Sequence, residues 1–367
     1  MVLRKYFSFF RGFDWLLFGS VLLLICFGLA AIYSITISSD NPDFLNFNKQ
    51  ITFAIIGLIL LFVLSFINYH FWQDFGYIIY IIAIIFLIAV LIFGRTIKGT
   101  TGWFSFLGFS FQPVEFAKIA LLIFLSWFLA NQGQEIKRFK NFIITGLITG
   151  LYFLLVALQP DFGSSIVLFF TWFLVVVFAG ADKKHILLLF FGLVVASLIT
   201  WGFLFQDYQR ARILTFFNPQ SDPYGRGYHV RQAVTAVGAG GLFGRGLGFG
   251  SQSQLKFIPA SQTDFIFAVI AEELGFLGVS LVLFFWAVIF YRLIRVIRMV
   301  RDNFSALFIF GVSALFFIHF MINIGMNIGI VPVTGISLPF LSYGGSFLVS
   351  SLILIGITEN IIIRNQS

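Results

Sequence analysis

The sequence predicts an all-α polytopic membrane protein of about ten transmembrane helices, and three observations carry that prediction. Of its 367 residues, 59% are hydrophobic and only 10% are charged, against about 25% charged in an ordinary soluble domain. The mean hydropathy is +1.00. The apolar residues come in long unbroken runs, not in the short alternating segments of a membrane barrel. A chain with so little polar surface cannot cover a soluble core. Soluble enzymes, disordered proteins and nucleic-acid binders are therefore excluded together.

The runs lie at about 15–35, 50–67, 76–93, 114–130, 142–158, 163–181, 186–205, 265–290, 304–328 and 346–363. Each is close to the roughly 20 residues a spanning helix needs. The first has no small-residue cleavage site after it and reads as a retained helix. The one cysteine, Cys26, lies inside it, so no intramolecular disulfide can form. An even number of spans places both termini on one side. With the N-terminal flank cytoplasmic, that side holds Arg4, Lys5, Arg11, Lys137, Arg138, Lys140, Lys183, Lys184, Arg292, Arg295, Arg298, Arg301 and Arg364. The short loops opposite hold only Lys49, Arg95 and Lys98. That asymmetry puts both termini in the cytoplasm. The Arg292–Arg301 series, with its period of three, reads as a solvated helix end near anionic headgroups.

The chain reads as one integral membrane domain, 1–367, with one long extracytoplasmic loop, 206–264, between the seventh and eighth spans. That loop carries Arg210, Arg212, Arg226, Arg231, Arg245 and Lys256. Long loops escape the charge rule, yet a basic outer loop suits a negatively charged ligand. Residues 238–250 are rich in glycine, which serves equally a re-entrant segment or a phosphate cradle.

Six of the 15 acids fall within or at the mouth of apolar runs: Glu115, Asp161, Asp264, Glu272, Glu273 and Glu359. An ionised carboxylate there costs about 2.5–3.5 kcal/mol on insertion scales. Glu115 and Lys118 follow Gln112 and Pro113 at i, i+3 spacing, so they share a helix face. They are an internal ion pair or the wall of a polar cavity. Asp161 stands between Pro160 and Phe162-Gly163, as a helix N-cap would. Asp264 sits where the basic loop re-enters the membrane, placed as an N-cap or as a general base. Glu272 and Glu273 are expected to pair with another helix, and Glu359 to be structural.

Taken together, these segments resemble the SEDS family of membrane glycosyltransferases over about residues 12–363. The matching stretches are Gln112–Lys118, Leu158–Gly163, Gly227–Ala233, the glycine stretch, Ser251–Gln254, Thr263–Ala268, Ala271–Gly275, Asn323–Met326 and Leu338–Ser346. Gly-Tyr-His-Val, Ser-Gln-Ser-Gln and Pro332–Ile336 look more like the elongation branch, RodA, than the division branch, FtsW, which more often has Lys where Thr334 stands. Ala260 and Gln262 depart from the family's usual Glu and His, and Gly102 from its usual basic residue.

The resemblance implies polymerisation of lipid II on the outer face of the bacterial cytoplasmic membrane. Asp264 is then the expected general base or the holder of a divalent cation, Mg or Mn, that activates a sugar hydroxyl. Arg210, Arg212, Lys118 and Arg231 are expected on the pyrophosphate. Glu115 would orient Lys118, with Gln112 and Asp161 completing the substrate site. No organic cofactor is implied. The implied partner is a class B penicillin-binding protein transpeptidase. A lipid II flippase is the rival reading, though the two halves show no convincing inverted repeat.

Overall fold

The computed structural model describes residues 11–37, 43–97, 99–106, 109–199, 201–202, 210, 226–255, 257–258 and 260–366. Each apolar run forms a helix over its described residues. In chain order the elements are α1 (Trp15–Ile37), α2 (Leu45–Phe66), the short α3 (Tyr69–Asp74), α4 (Gly76–Phe93), strands β1 (Arg95–Ile97), β2 (Thr100–Phe106) and β3 (Phe109–Phe111), and α5 (Pro113–Gln132). There follow α6 (Phe139–Ala157), α7 (Phe162–Phe178), α8 (Lys183–Ile199), α9 (Arg226–Ala239), the single turn α10 (Ser251–Gln254), α11 (Ile266–Met299), α12 (Asn303–Asn327) and α13 (Gly345–Gln366). Among the described residues, eight helices are long and apolar enough to cross a membrane. Helices α7 and α8 have 17 residues each, about 26 Å at 1.5 Å per residue, the lower end of the spanning range.

The all-α expectation holds for every spanning element and misses one outer-face feature. Strands β1–β3 form a small antiparallel sheet between α4 and α5, with Phe104 opposite Phe111 and Ser105 opposite Ser110. Its strands alternate over only a few residues, too short a signal to separate from a loop.

Lipid tails are as apolar as leucine, so close backbone approach takes the place of hydrophobic drive between helices. Helices α2 and α13 show it: a Cβ on Gly57 would strike Leu352, and one on Gly356 the main chain of Leu61. Helices α5, α12 and α13 are the most enclosed, whereas α8 has no buried residue among those described.

Helix α11 runs 34 residues and is broken at Gly275, where φ is +63° and ψ −161°. A Cβ there would collide with the main chain of Leu242–Gly244. The glycine stretch packs into that break. The N–H groups of Arg245 and Gly246 donate to the carbonyls of Glu272 and Glu273 at 3.0 and 2.9 Å, and those of Phe276 and Leu277 donate to Gly241 and Leu242 at 2.8 and 3.1 Å. The glycines thus let the loop re-enter and satisfy the carbonyls and amides a helix break would orphan.

At the cytoplasmic end, Arg292 pairs with Asp14 at 2.6 Å, and Glu359 accepts the Asp14 N–H at 3.0 Å. Arg292 therefore leaves the headgroup-facing series expected of it, and Arg295, Arg298 and Arg301 remain exposed. Glu359 is structural, as its position implied.

Candidate active site

Asp264 lies in a turn held by several separate elements. Ala260 takes a left-handed conformation, φ +52°, which lets its carbonyl accept the N–H groups of Thr263, Asp264 and Phe265 at 3.0, 3.1 and 3.3 Å. From α12, Asn323 and Asn327 each donate to the Asp264 carbonyl at 3.0 Å. Asn323 also donates to Ile336 at 2.8 Å, and Asn327 accepts the Ala268 N–H at 3.0 Å. From the outer turn before α13, Ser342 donates its hydroxyl to the Thr263 carbonyl at 2.7 Å, and the Tyr343 N–H donates to Gln262 at 2.8 Å. Buried Gln50 on α2 holds that turn in place, donating to Ser342 at 3.2 Å and accepting the Gly344 N–H at 3.1 Å.

The carboxylate of Asp264 is half-buried. It faces Gly335, where a Cβ would stand 3.7 Å from Oδ2. Asp264 is not the N-cap of α11. That position belongs to Phe265, which makes no side-chain cap bond. The N-cap position expected for Asp264 is therefore taken by its neighbour.

Asp161 is an N-cap. Its Oδ1 accepts the Ser164 N–H at 3.0 Å and its Oδ2 the Ser164 hydroxyl at 2.8 Å. Gln112 donates to the same Oδ2 at 3.2 Å, joining the start of α5 to the start of α7. The Gln112 N–H reaches the Ser346 hydroxyl, which donates to the Ser110 carbonyl of β3. Gln112 and Asp161 come together, at the same outer end as Asp264.

Pro113 opens α5 at its first turn, where its missing N–H costs nothing. Glu115 and Lys118 form a buried ion pair of 2.8 Å. Lys118 also approaches His319 Nε2 at 3.3 Å and lies 5.0 Å over the Phe347 ring. His319 Nδ1 meets the Ser337 carbonyl at 3.1 Å. The carbonyl requires Nδ1 to carry the hydrogen, so Nε2 accepts from the ammonium. Glu115 Oε2 accepts from Ser350 at 3.3 Å. Lys118 is only 3% exposed, so it touches a pyrophosphate only if this network opens.

His319, Asn323 and Asn327 went unassigned by sequence reasoning. His319 is an ionisable group within an apolar run, a signal as strong as any of the acids. Asn323 opens the Asn323–Met326 stretch that resembles the family and Asn327 follows it directly, but neutral amides carry no local signal of where they point.

Arg210 donates to the carbonyls of Trp201 and Gly202 at 3.0 and 3.2 Å. Arg212 lies outside the described residues. Arg231 is exposed on α9. Ala233 and Ala236 of that helix pack with Phe265 and Ala268, which brings α9 against the Asp264 turn. Glu272 accepts the N–H groups of Gln252 and Ser253 at 2.8 and 2.9 Å, so the helix it meets is the single turn α10. Glu273 accepts from Ser34 of α1 and from Gln254, each at 2.7 Å.

Among the described residues no cluster of three or more His, Cys, Asp or Glu could hold a metal. Asp264 alone offers one carboxylate. Mg2+ commonly binds through one or two carboxylates plus substrate phosphates, keeping several waters, so this donor set fits a cation shared with a pyrophosphate.

The fold and site define a multi-pass membrane protein whose acidic centre is built at the outer ends of its helices. The family model described as cell cycle protein, FtsW/RodA/SpoVE, matches residues 14–367. The chain is 38% identical to stage V sporulation protein E of Bacillus subtilis (strain 168), covering 95% of this chain and 96% of that one. It is 36% identical to the peptidoglycan glycosyltransferase MrdB of Escherichia coli (strain K12), over 93% and 92%. The probable peptidoglycan glycosyltransferase FtsW of Geobacter sp. (strain M18) is 32% identical over 96% and 98%. Among solved structures, a chain of "Structural coordination of polymerization and crosslinking by a peptidoglycan synthase complex" aligns with TM-score 0.83 and 29% identity, covering 96% and 98%. The rod shape determining protein RodA of Thermus thermophilus aligns with TM-score 0.73 and 27% identity, over 97% and 98%. The chain belongs to the FtsW/RodA/SpoVE family, the SEDS proteins of the cytoplasmic membrane.

Proposed function

We propose that this chain is a peptidoglycan glycosyltransferase that polymerises lipid II for cell elongation, with Asp264 as its base. The observation that carries the reading is the immobilised Asp264 turn. It is a half-buried carboxylate at the outer mouth of the bundle, next to the helix that bears Arg231. In the reaction one sugar hydroxyl attacks the anomeric carbon of a second lipid-linked sugar. A glycosidic C–O bond forms, the anomeric C–O bond to pyrophosphate breaks, and the hydroxyl proton passes to the Asp264 carboxylate. Negative charge develops on the departing lipid pyrophosphate, and guanidinium groups are suited to it. Arg231, Arg210 and Arg212 are assigned there. In the alternative role Asp264 would hold a divalent cation, which would supply Lewis-acid activation of the attacking hydroxyl.

Thr334, Gly227–Val230 and Ser251–Gln254 support the elongation branch. Identities of 38%, 36% and 32% to relatives with different names do not separate the branches. Partnership with a class B transpeptidase is supported by the likeness to a chain of a synthase complex that couples polymerisation to crosslinking. The test is the purified chain in vesicles with lipid II, alone and with such a partner. Asp264→Asn, which keeps size and removes the base, should abolish glycan chains. Polymer at the parent rate would overturn the assignment. Lipid II movement without polymer, in the parent, would favour a flippase.

A further inference from the structure

We propose that the groove between α7 and α8 is a binding site for one anionic phospholipid of the cytoplasmic leaflet. The groove encloses about 450 Å3. Phe169, Phe170 and Phe173 of α7 form one wall, and Ile186, Phe190 and Leu193 of α8 lie on the other. The one charged residue in its lining is Lys183, at the cytoplasmic start of α8. From Lys183 to Leu193 the helix rises about 15 Å at 1.5 Å per residue. That is half of the roughly 30 Å hydrocarbon core, the depth of one leaflet and so the reach of one acyl chain. Helix α8 buries none of its described residues against the protein. Its groove face toward α7 is therefore open to apolar material.

Charge at the mouth selects the headgroup. Lys183 and Lys184 are exposed there, and neither side chain makes an ion pair among the described residues. The His185 ring lies 5.2 Å from that of Phe139 and 5.5 Å from that of Phe142, which brings the exposed Lys140 of α6 to the same rim. Asp182 is the one acid there, and it accepts the Lys184 N–H at 2.9 Å. Lys140, Lys183 and Lys184 set against Asp182 leave the rim cationic. A phosphate between the lysines, above a chain in the groove, matches both parts. The site opens on the leaflet opposite to Asp264 and is independent of the polymerase reading.

The test uses the full chain in phosphatidylcholine vesicles doped with a photoreactive lipid. The probe is phosphatidylglycerol or phosphatidylcholine carrying the same diazirine acyl chain, and the labelled peptides are identified by mass spectrometry. Phosphatidylglycerol should label 169–173 and 186–193 at least about fivefold more than phosphatidylcholine, the fold-change that ~1 kcal/mol from a single lysine near the surface gives. Lys183→Gln with Lys184→Gln should bring the two probes level. Leu189→Trp, which fills the groove, should remove label from both walls and leave it at lipid-facing Leu281. The lysine variant changes only exposed charge, so it keeps the test valid if the tryptophan variant fails to fold. Equal labelling by both probes in the parent means annular lipid only, and overturns the proposal. So does an anionic preference that survives loss of both lysines.

Discussion

Removing the charge of Lys118 tests whether the intramembrane pair is scaffold or machinery. The pair is 2.8 Å long, with side chains 3% and 7% exposed. Breaking a buried pair by deleting one partner costs about 3–5 kcal/mol, because the other charge is stranded. Lys118→Met leaves Glu115 with only the Ser350 hydroxyl, and deprives His319 Nε2 of its donor. Glu115→Gln leaves an ammonium facing a neutral amide. Each single variant should lose about 3–5 kcal/mol and unfold in detergent several degrees below the parent, followed by tryptophan fluorescence. The double variant carries no stranded charge, so it should be more stable than either single. Non-additivity of this sign is what contact between the residues requires. If both singles match the parent, or if the double costs the sum of the singles, the pair does not hold α5 as argued.

Activity of that double variant separates the two readings left open by spacing alone. A stable double variant that polymerises lipid II makes the pair structural. A stable double variant that does not polymerise requires the Lys118 charge in the reaction.

Three further outcomes follow from named contacts. Asn327→Leu removes one of the two donors to the Asp264 carbonyl and the acceptor of the Ala268 N–H. It should cost about 1–3 kcal/mol of stability and lower kcat, with KM for lipid II little changed in a vesicle assay. Gly275→Ala puts a Cβ onto the Leu242–Gly244 main chain at φ +63°. The glycine stretch should then be displaced, with proteolytic cleavage within residues 240–250 rising well above the parent. Ala260→Gly relieves about 1–2 kcal/mol of left-handed strain and costs about 0.5–1 kcal/mol of chain entropy. Thermal unfolding should rise slightly at unchanged kcat, and a fall in both would show that the strain at Ala260 is needed.

The spanning frame was legible because lipid leaves a chain little choice. Runs of apolar residues long enough to cross, with basic residues gathered on one side, carry the helices and their direction. Glu115, Lys118, Asp161 and Asp264 were legible for the same reason: a charge in an apolar setting is costly and therefore visible. What could not be read was which distant segments meet. Gln50 holds Ser342 across 292 residues, and Asn327 reaches Asp264 across 63. Neutral amides give no electrostatic alarm, and packing alone decides their partners. The break in α11 was hidden because Gly275 sits in an otherwise helical run, and glycine is tolerated in spanning helices. The glycine stretch left two readings open, and the closure of that break by main-chain hydrogen bonds supports re-entry.

The way Asp264 is held bears on what it can do. Asp161 and Glu272 are fixed through their carboxylates, whose oxygens accept from Ser164, or from Gln252 and Ser253. Protonating either would break the contacts that hold the local structure. The Asp264 turn is held through main-chain atoms: carbonyls of Gln262, Thr263 and Asp264 that receive Tyr343, Ser342 and the two asparagines. Those bonds survive whether its carboxyl is charged or neutral. A general base changes charge twice in every cycle, and its geometry must persist through both states. Main-chain anchors of this kind meet that demand for the turn. Asp264→Asn should therefore fold as the parent does while losing the reaction, and an Asp264→Asn protein as destabilised as Lys118→Met would show that the side chain, not the main chain, holds the turn.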